Sequence, residues 1–371
     1  MPHDRLDERS IRIRSLTSRK SKHTMDEIRV DPHGPPPPAG RMEDTLDEVV
    51  ERVVKAREHS SSIVLAFGAH LVKNGLCPLV TRLVDEGWVT HLATNGAGLI
   101  HDWEYAFQGQ SEEDVRAHVA EGCFGTWDET GRNTHLAVLV GAVEGMGYGE
   151  SLGSFVENDG CDIPDRQSLA ESLRRWAEQI EDDALAPARA ELLQAIERFD
   201  IAAGRLSVLH PNKRFSVAAN AFRLGVPLTV HPGIGYDIIY NHPMANGGAL
   251  GRAAGVDYGI FAAGVEKIGE SGVFLSVGSA VMAPQVFEKA VSFANNLRLQ
   301  RGDKALAPFI AVNDIVDVDW DWQEGEPPAD NPAYYVRFCK SFSRMGGLMR
   351  YLAGDNRAFL HNLYHRLRSR G

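Results

Sequence analysis

The sequence contains few cysteines, no long apolar run and no secretory signal. Its four cysteines form no CxxC pair, which is typical of a reduced compartment and not of a disulfide framework or a zinc site; they are Cys77, Cys123, Cys161 and Cys339. No apolar run approaches the roughly 18 residues of a membrane span. The chain opens MPHDRLDERS, without the apolar segment of a signal peptide. We therefore expect a cytoplasmic protein with no membrane contact, and we predict no metal site.

Positive charge is also scarce. The 39 Lys and Arg residues face 50 Asp and Glu residues, so the formal net charge is -11. A nucleic-acid-binding protein usually presents a basic face, and we predict no nucleic-acid partner. The basic residues gather mainly in 12-RIRSLTSRKSK-22 and 365-HRLRSR-370, which we interpret as solvated tails.

Two common catalytic signatures are missing as well. The sequence has no GxxxxGK[ST], which argues against a P-loop ATPase, and no GxSxG, which argues against a Ser–His–Asp hydrolase. A GxG is present at Gly96 and Gly98, but His101 stands where GxGxxG requires a third glycine.

What is present is the composition of a globular protein, in 371 residues of which 43% are hydrophobic. Consecutive prolines in 32-PHGPPPPAG-40 cannot join a helix or a central strand. We predict that residues 1–41 form an N-terminal arm with a Pro-rich linker. Residues 42–371 are then expected to form a single domain.

Apolar runs alternate with helical patterns along this domain. Such runs fit strands that are buried on both faces of a parallel sheet, and they lie at 63–68, 89–98, 226–235, 271–284 and 307–322. A further short strand is predicted over 205–211, and the segment after Ser343 is predicted to be helical. The pattern predicts an α/β fold with a doubly wound, mostly parallel, Rossmann-like sheet.

Small residues end four of the predicted strands, at Gly68, Thr94–Gly98, His231–Asp237 and Gly278–Ala280. Ligands of open parallel sheets lie beyond the carboxyl ends of the strands, where exposed backbone N–H groups favour phosphate. Four such turns favour a nucleotide site. The alternative for each one is a tight turn that holds no ligand.

Polar side chains near these turns are the candidates for chemistry. Asp102 could bind a ribose or be an acid at a helix N-terminus, where the helix dipole favours it. Asp237 could orient a nearby histidine or act as a base. The alternative for each of the two histidines, His231 and His242, is a hydrogen-bonding group of the core. Burial of Lys340 would lower its pKa and allow a Schiff base, unless its amine reaches solvent.

Over roughly residues 60–345, these motifs resemble the deoxyhypusine synthase family, and more closely its bacterial deoxyhypusine synthase-like members. The resemblance implies a Rossmann-like tetramer that binds NAD, oxidises an amine by hydride transfer and passes on an imine carbon through a lysine. It implies NAD contacts from Gly68, Thr94, Asn95, Gly96, Gly98, Gly235, Gly278, Ser279, Ala280, Asn313 and Asp314. It implies that Asp237 contacts the substrate, that Lys340 is the catalytic lysine and that Glu104 lies near a family acid that we expect to bind substrate. From the residues themselves we further predict that Asp237 takes part in catalysis, that Tyr240 binds the substrate and that His242 or His101 is the general acid/base.

The chain departs from the family where catalysis is concerned. Pro284 stands in the segment where the family has a catalytic histidine, and Phe338-Cys339 replaces a Trp-Gly pair before the lysine. The acidic segment 319–332 is spaced differently. We therefore expect NAD and a small-molecule substrate, and no protein substrate.

Three functions remain open at this point. The first is an NAD-dependent enzyme that acts on a small amine or amino acid. The second is an NAD-dependent epimerase or lyase that transiently oxidises a hydroxyl or sugar carbon. The third is a nucleotide-binding protein that has lost catalysis.

Overall fold

The apolar runs form the strands of one parallel sheet in a computed structural model that describes residues 3–180 and 183–370. Within those residues the strands are β1 (His23–Thr24), β2 (Ile63–Phe67), β3 (His91–Thr94), β4 (Gln110–Ser111), β5 (Gly160–Ile163), β6 (Gly204–Ser207), β7 (Leu228–Val230), β8 (Val273–Val277), β9 (Phe309–Asp314) and β10 (Leu348–Ala353).

The α-helices of the described residues are α1 (Met25–Ile28), α2 (Glu43–Glu58), α3 (Ala69–Lys73), α4 (Cys77–Asp85), α5 (Gly96–Gln108), α6 (Val115–Ala120), α7 (Asp128–Ala142), α8 (Tyr148–Glu157), α9 (Arg166–Ala177), α10 (Ala186–Phe199), α11 (Val217–Leu224), α12 (Gly247–Glu266), α13 (Met282–Gln300), α14 (Arg337–Ser343) and α15 (Asn356–Arg368). Short 3-10 helices lie at Glu8–Ser10, Leu16–Ser18, Gly40–Met42, Lys213–Phe215, Ile238–Asn241, Trp322–Glu324 and Pro332–Tyr335.

The chain divides into two compact units, which we call the sheet unit and the helical unit. The sheet unit comprises Ile28–Leu99, Ala221–His231 and the described residues from Asp257 onward. The helical unit comprises the described residues up to Glu27, those of Ile100–Asn220, and Pro232–Val256.

The sheet unit contains a six-stranded, fully parallel sheet in the order β10-β9-β8-β2-β3-β7. Read from β7, this is the 3-2-1-4-5-6 order of the Rossmann fold. Four of its strands are buried along their whole length, which explains their unbroken apolar sequences. The predicted fold class is confirmed.

Apolar side chains cover both faces of this sheet. On one face Val64, Phe274 and Ile310 join a core that includes Phe287 from α13 and Phe342 from α14. Elsewhere in the unit α2 contacts β2, and α15 contacts α2, α4 and β9. Successive strand residues point to opposite faces, so a strand buried on both must be apolar throughout.

The helical unit is built around α7, of which twelve residues are buried. This helix packs against α8 and α10, and α10 packs against α9. Two short antiparallel pairs complete the unit, β1 with β4 and β5 with β6. Among the described residues, every helix falls short of the length or the apolar character that a bilayer crossing needs.

Two predicted elements differ from those observed. The strand predicted over 205–211 is β6, and it pairs with β5 in the helical unit instead of joining the parallel sheet. The segment predicted to be helical after Ser343 includes β10, the edge strand of the sheet. The buried and half-buried residues of β10 do not alternate regularly, and several of its residues have good helix propensity. For both reasons the sequence predicted a helix here.

The N-terminal segment is packed against the fold along part of its length. Leu16 and Arg19 are buried in the helical unit, so the interpretation of 12–22 as a solvated tail is wrong for these side chains. In the sheet unit the carbonyl of Pro37 accepts a hydrogen bond of 2.7 Å from Asn362 Nδ2. The Pro-rich segment therefore has a fixed position on α15.

Gly68 follows β2 and leaves no room for a side chain. A Cβ built there would lie 2.1 Å from the carbonyl oxygen of Gly278, a backbone atom that cannot rotate away. Its φ of -90° suits any residue, so space and not backbone conformation requires glycine. We predict that Gly68→Ala lowers the free energy of unfolding by about 2 kcal/mol, in the range of overpacked sites.

The matched control is Gly259→Ala, at an exposed position inside α12 where an added Cβ meets nothing within 4 Å. It should leave stability unchanged or raise it by up to about 1 kcal/mol, because alanine is the better helix former. Thermal unfolding followed by circular dichroism measures both changes. Equal effects at the two sites would contradict the close approach of the two strand ends.

Candidate functional site

The direction of strand addition reverses between β2 and β8. From β2 the chain adds β3 and then β7 on one side, and later adds β8, β9 and β10 on the other. All six strands are parallel, so their carboxyl ends share one edge. Ligands of open α/β sheets bind in the crevice that opens at such a reversal. The candidate site is therefore the edge where β2 and β8 end.

Two glycines line this crevice with backbone. The N–H of Gly68 donates to the carbonyl of Val277 (3.2 Å), and the N–H of Gly278 donates to the carbonyl of Asn313 (3.0 Å). Gly278 has a φ of +56°, a conformation that favours glycine. Beyond it Ala280 is exposed, and Ser279 Oγ accepts a hydrogen bond from the N–H of Ala283. The backbone can therefore approach a ligand closely here.

The turn after β3 is held by its own side chains. Thr94 Oγ1 donates to the carbonyl of Phe67 (3.0 Å), which ties this turn to the end of β2. The N–H of Gly98 donates to Asn95 Oδ1 (2.8 Å), and a Cβ on Gly98 would lie 2.3 Å from Thr94 Oγ1. The helix α5 begins at Gly96, so the glycines of this turn form the first turn of the helix.

At the end of β9, Asn313 ties together two strands. Its Nδ2 donates to the carbonyls of Leu352 (2.9 Å) and Gly354 (3.1 Å). Its Oδ1 is buried and has no hydrogen-bond partner among the described residues. The carboxylate of Asp314 accepts a hydrogen bond from the N–H of Val316 (3.2 Å). Asn313 thus offers one acceptor at the same edge.

This edge brings together most of the predicted cofactor residues, at the ends of β2, β3, β8 and β9; they are Gly68, Thr94, Asn95, Gly96, Gly98, Gly278, Ser279, Ala280, Asn313 and Asp314. Gly235 belongs instead to the helical unit, where it has a φ of +92° in the loop before Asp237. Because Gly235 does not lie at the end of a strand of the sheet, the sheet edge gives no support to its predicted NAD contact. For the other residues, cofactor contact stays a prediction.

The predicted substrate residues Asp237 and Tyr240 also belong to the helical unit. Asp237 is buried, and its Oδ2 accepts a hydrogen bond of 2.9 Å from the N–H of Gly233, which closes the loop on itself. Burial and the charge of Asp237 raise the pKa of Tyr240 to about 12. Tyr240 is therefore a neutral phenol at physiological pH.

His242 is held in one orientation. Its Nδ1 accepts a hydrogen bond of 3.1 Å from the N–H of Met244, so the neutral ring carries its hydrogen on Nε2. Burial and the charge of Arg132 lower its pKa to about 4. A Cβ on Gly131 would lie 2.5 Å from the ring, so glycine admits it against α7. This geometry makes His242 a neutral donor, and it does not support the expected general base.

Glu104 is buried at the centre of a hydrogen-bonded network. Its two oxygens accept bonds from both terminal nitrogens of Arg19 (2.9 and 2.6 Å), from Ser111 Oγ (2.6 Å) and from Thr130 Oγ1 (2.9 Å). His101 Nδ1 donates to Ser111 Oγ (2.7 Å) and so joins the same network.

Both side chains of the Arg19–Glu104 pair are only 1% exposed. Burial alone would raise the pKa of Glu104, but the charge and hydrogen bonds of Arg19 lower it overall. The predicted substrate role of Glu104 gains no support, because its carboxylate oxygens already accept four hydrogen bonds within the protein. His101 is likewise committed to this network, and its predicted role in acid–base chemistry gains no support.

Asp102 is neither a ribose ligand nor the first acid of its own helix. It lies inside α5 and accepts hydrogen bonds from Ser216 Oγ (2.5 Å) and from the N–H groups of Val217 (2.7 Å) and Ala218 (3.3 Å). It therefore caps α11, whose first residues need acceptors. Burial raises its pKa to about 6, although these hydrogen bonds oppose the shift.

Lys340 differs most from its prediction. Its Nζ forms an ion pair of 2.6 Å with Glu326 and lies 3.4 Å from the ring centroid of Tyr334. The hydrogen bonds to Glu326 and Tyr334 raise the pKa of Lys340, so the expected lowering is wrong. A charged amine is a poor nucleophile. This arrangement does not support an imine on Lys340.

The sequence reading missed Arg19, Asp128 and Arg132. Arg19 stands in a basic run that gives no sign of burial. Asp128 and Arg132 are four apart on α7 and share one face, a spacing visible in the sequence. Its connection with His242 is not visible in the sequence, because that histidine lies 110 positions after Arg132.

The buried pair supplies a test of the helical unit. We predict that Arg19→Met lowers the free energy of unfolding by about 3 kcal/mol, because it leaves the charge of Glu104 buried without a partner. Arg14→Met is the matched control, since the Arg14–Glu121 pair has side chains 44% and 58% exposed and should cost at most about 1 kcal/mol. Urea unfolding followed by circular dichroism gives both values, and similar midpoints for the two variants would contradict the buried pair.

No protein-family model matches this chain, and no curated protein does. Solved structures do match. One is the apo form of ArgZ, an arginine dihydrolase from the ornithine–ammonia cycle in cyanobacteria, with 15% identity and a TM-score of 0.42 over 89% of this chain and 33% of that chain. The ternary complex of AgrE with ornithine and NAD+ gives the same values.

A third match is a conserved protein of Methanococcus maripaludis S2 with a provisional LOR/SDH assignment. It has 10% identity and a TM-score of 0.41, over 92% of this chain and 70% of that chain. This chain spans about a third of the length of the ArgZ and AgrE chains. Likenesses this distant carry no argument about activity, and the deoxyhypusine synthase resemblance stays a prediction from the sequence.

Proposed function

We propose that this protein is an NAD-dependent enzyme that transfers a hydride to or from a carbon of a small amine or amino acid. The observation that carries the proposal is the reversal of strand addition between β2 and β8, at the point where Gly68 and Gly278 meet. Dinucleotides bind at this position in sheets of this strand order.

Two helices reinforce the affinity of this edge for a pyrophosphate. α5 begins at Gly96 directly after β3, and α13 begins at Met282, four residues after Gly278. The N-terminal N–H groups of a helix have no partners within it and carry partial positive charge, which favours anions. Both helices are longer than ten residues, so their dipoles are well developed.

The end of β3 bears on the choice between NAD and NADP. In sheets of this type an acid near the end of the second strand accepts hydrogen bonds from the ribose 2′-hydroxyl of NAD. Here the half-buried Asn95 follows that strand, and the acids Asp102 and Glu104 are both committed to the helical unit. Titrations must therefore include both cofactors.

The substrate class rests on the resemblance to the deoxyhypusine synthase family, whose enzymes oxidise an amine. The cofactor would accept the hydride, while the protein would orient the substrate. The Lys340–Glu326 ion pair favours a route without a lysine imine. It therefore also favours a second candidate, transient oxidation of a hydroxyl carbon. From the same resemblance we propose a homotetramer, and from the scattered cysteines we propose a reduced, cytoplasmic location.

Ala280→Glu tests the cofactor site without disturbing the core, because Ala280 is exposed. The added carboxylate should repel a pyrophosphate at the crevice and weaken NADH binding by at least about 10-fold, a change of 1.4 kcal/mol. Quenching or enhancement of NADH fluorescence measures the dissociation constant, and NADPH is titrated in parallel.

Ala263→Glu makes the same substitution at an exposed position near the end of α12, away from the carboxyl ends of the strands. It should bind NADH as the unsubstituted protein does. Equal affinities of the two variants would place the cofactor elsewhere. If the unsubstituted protein binds neither cofactor at millimolar concentration, the proposal of NAD dependence is wrong.

A further inference from the structure

The helical unit contains a cavity of about 490 Å³ that the proposed cofactor site does not include. Its walls are mostly apolar and include Leu136, Ile163, Phe199, Ile201, Leu206 and Met244. The polar side chains Asp128, Arg132, Asp200, Arg205 and His242 also line it; of these, Asp200 is exposed and Arg205 is paired with Asp162. Small-molecule sites commonly have this character, an apolar volume with a few polar groups that fix orientation.

His242 brings a buried donor to this cavity. The residue is 2% exposed, and its Nε2 has no hydrogen-bond partner among the described residues. Because the N–H of Met244 occupies Nδ1, Nε2 must carry the hydrogen of the neutral ring. Asp128 Oδ1 on the cavity wall lies 3.7 Å from this nitrogen, beyond hydrogen-bond distance.

Arg132 brings a second donor and the positive charge. Its Nη2 pairs with Asp128 Oδ2 at 3.0 Å, one turn earlier on α7. Its Nε is buried and, like His242 Nε2, has no hydrogen-bond partner among the described residues. A buried N–H group without an acceptor is costly, and native proteins rarely leave one so. An acceptor supplied by a ligand would satisfy both groups.

We propose that this cavity binds a small monocarboxylate with a branched aliphatic body, whose carboxylate accepts hydrogen bonds from Arg132 Nε and His242 Nε2. A carboxylate has two oxygens that only accept, which suits two N–H donors on one wall. The charge of Arg132 is already shared with Asp128, so the site suits a single negative charge better than a phosphate dianion. The aliphatic body would occupy the volume lined by Leu136 and Ile201.

Two classes of ligand could supply the carboxylate, and they differ in the group that they would place beside Asp128. An α-amino acid has an ammonium group that can donate a hydrogen bond to Asp128 Oδ1, whereas a plain fatty or oxo acid has no such group. The carboxylate contacts are the same for both. The probes are therefore 4-methylpentanoate, L-leucine and, as an uncharged analogue, 4-methylpentan-1-ol.

Isothermal titration calorimetry of the full chain, without NAD, tests the proposal. Both acids should bind, and the alcohol should bind at least about 10-fold more weakly because it lacks the charge. Tighter binding of L-leucine than of 4-methylpentanoate would support an ammonium contact at Asp128, and equal binding would support the carboxylate contact alone. Binding of neither acid, or equal binding of the alcohol, would overturn the proposal.

Variants identify the residues. Arg132→Met should weaken 4-methylpentanoate binding by at least about 10-fold, Arg132→Lys by less because the charge remains, and His242→Gln should retain part of the affinity through its amide donor. Arg116→Met, at an exposed position on α6, is the control and should change nothing. The proposal is wrong if the melting curve of Arg132→Met shows a folded protein that binds 4-methylpentanoate as tightly as the control. If Arg132→Met does not fold, the proposal is overturned when Arg132→Lys and His242→Phe both bind 4-methylpentanoate as tightly as the unsubstituted protein. Failure of NADH to bind would leave these results unaffected.

Discussion

The contact between Gly68 and Gly278 fixes the geometry of the sheet unit where β2 and β8 end. With 2.1 Å between a hypothetical Cβ on Gly68 and the carbonyl oxygen of Gly278, a side chain at Gly68 would force the backbone of one strand end to shift. The N–H of Gly68 also bonds to Val277. The edge at the strand reversal is therefore formed by backbone. Because the N–H groups of Gly68 and Gly278 already bond to strand carbonyls, a pyrophosphate bound there would contact N–H groups of the turns beyond them and of the helix starts.

The helical unit depends on a different constraint, the burial of charged groups. Arg19 and Glu104 are buried together, and Asp102 is buried on the N-terminus of α11. Burying a charge is costly unless partners satisfy it, and both acids have their partners within the unit. Polar residues after the glycine turn looked like ligand contacts in the sequence, but they are occupied by the fold itself.

Most of the sheet could be predicted from the sequence because strands buried on both faces are continuous apolar runs. β2, β3, β8 and β9 were found in this way, and their small-residue ends located most of the candidate cofactor edge. The edge strand β10 was missed because only Met349 and Leu352 of its six residues are buried, which leaves neither a continuous apolar run nor a regular alternation. Gly235 belongs to the helical unit because the chain leaves the sheet unit after His231, a division that no local pattern shows, and its cofactor contact stays a prediction.

The candidate chemistry was harder to predict, because it depends on partners distant in sequence. The apolar neighbours of Lys340 suggested a neutral amine, yet Glu326, fourteen residues earlier, keeps it charged. Arg19 reaches Glu104 across 85 residues. The tautomer of His242 is set by a backbone N–H two residues away. The cavity that this histidine lines is formed in part by α7, which is distant in the chain. Such pairings follow from the tertiary fold alone.

The most direct test of the central claim is the crystal structure of the protein grown with NAD+. The account predicts pyrophosphate density within hydrogen-bond distance of backbone N–H groups in the turns that follow Phe67 and Val277. Cofactor density at another position, or none at a concentration that saturates binding in solution, would contradict it.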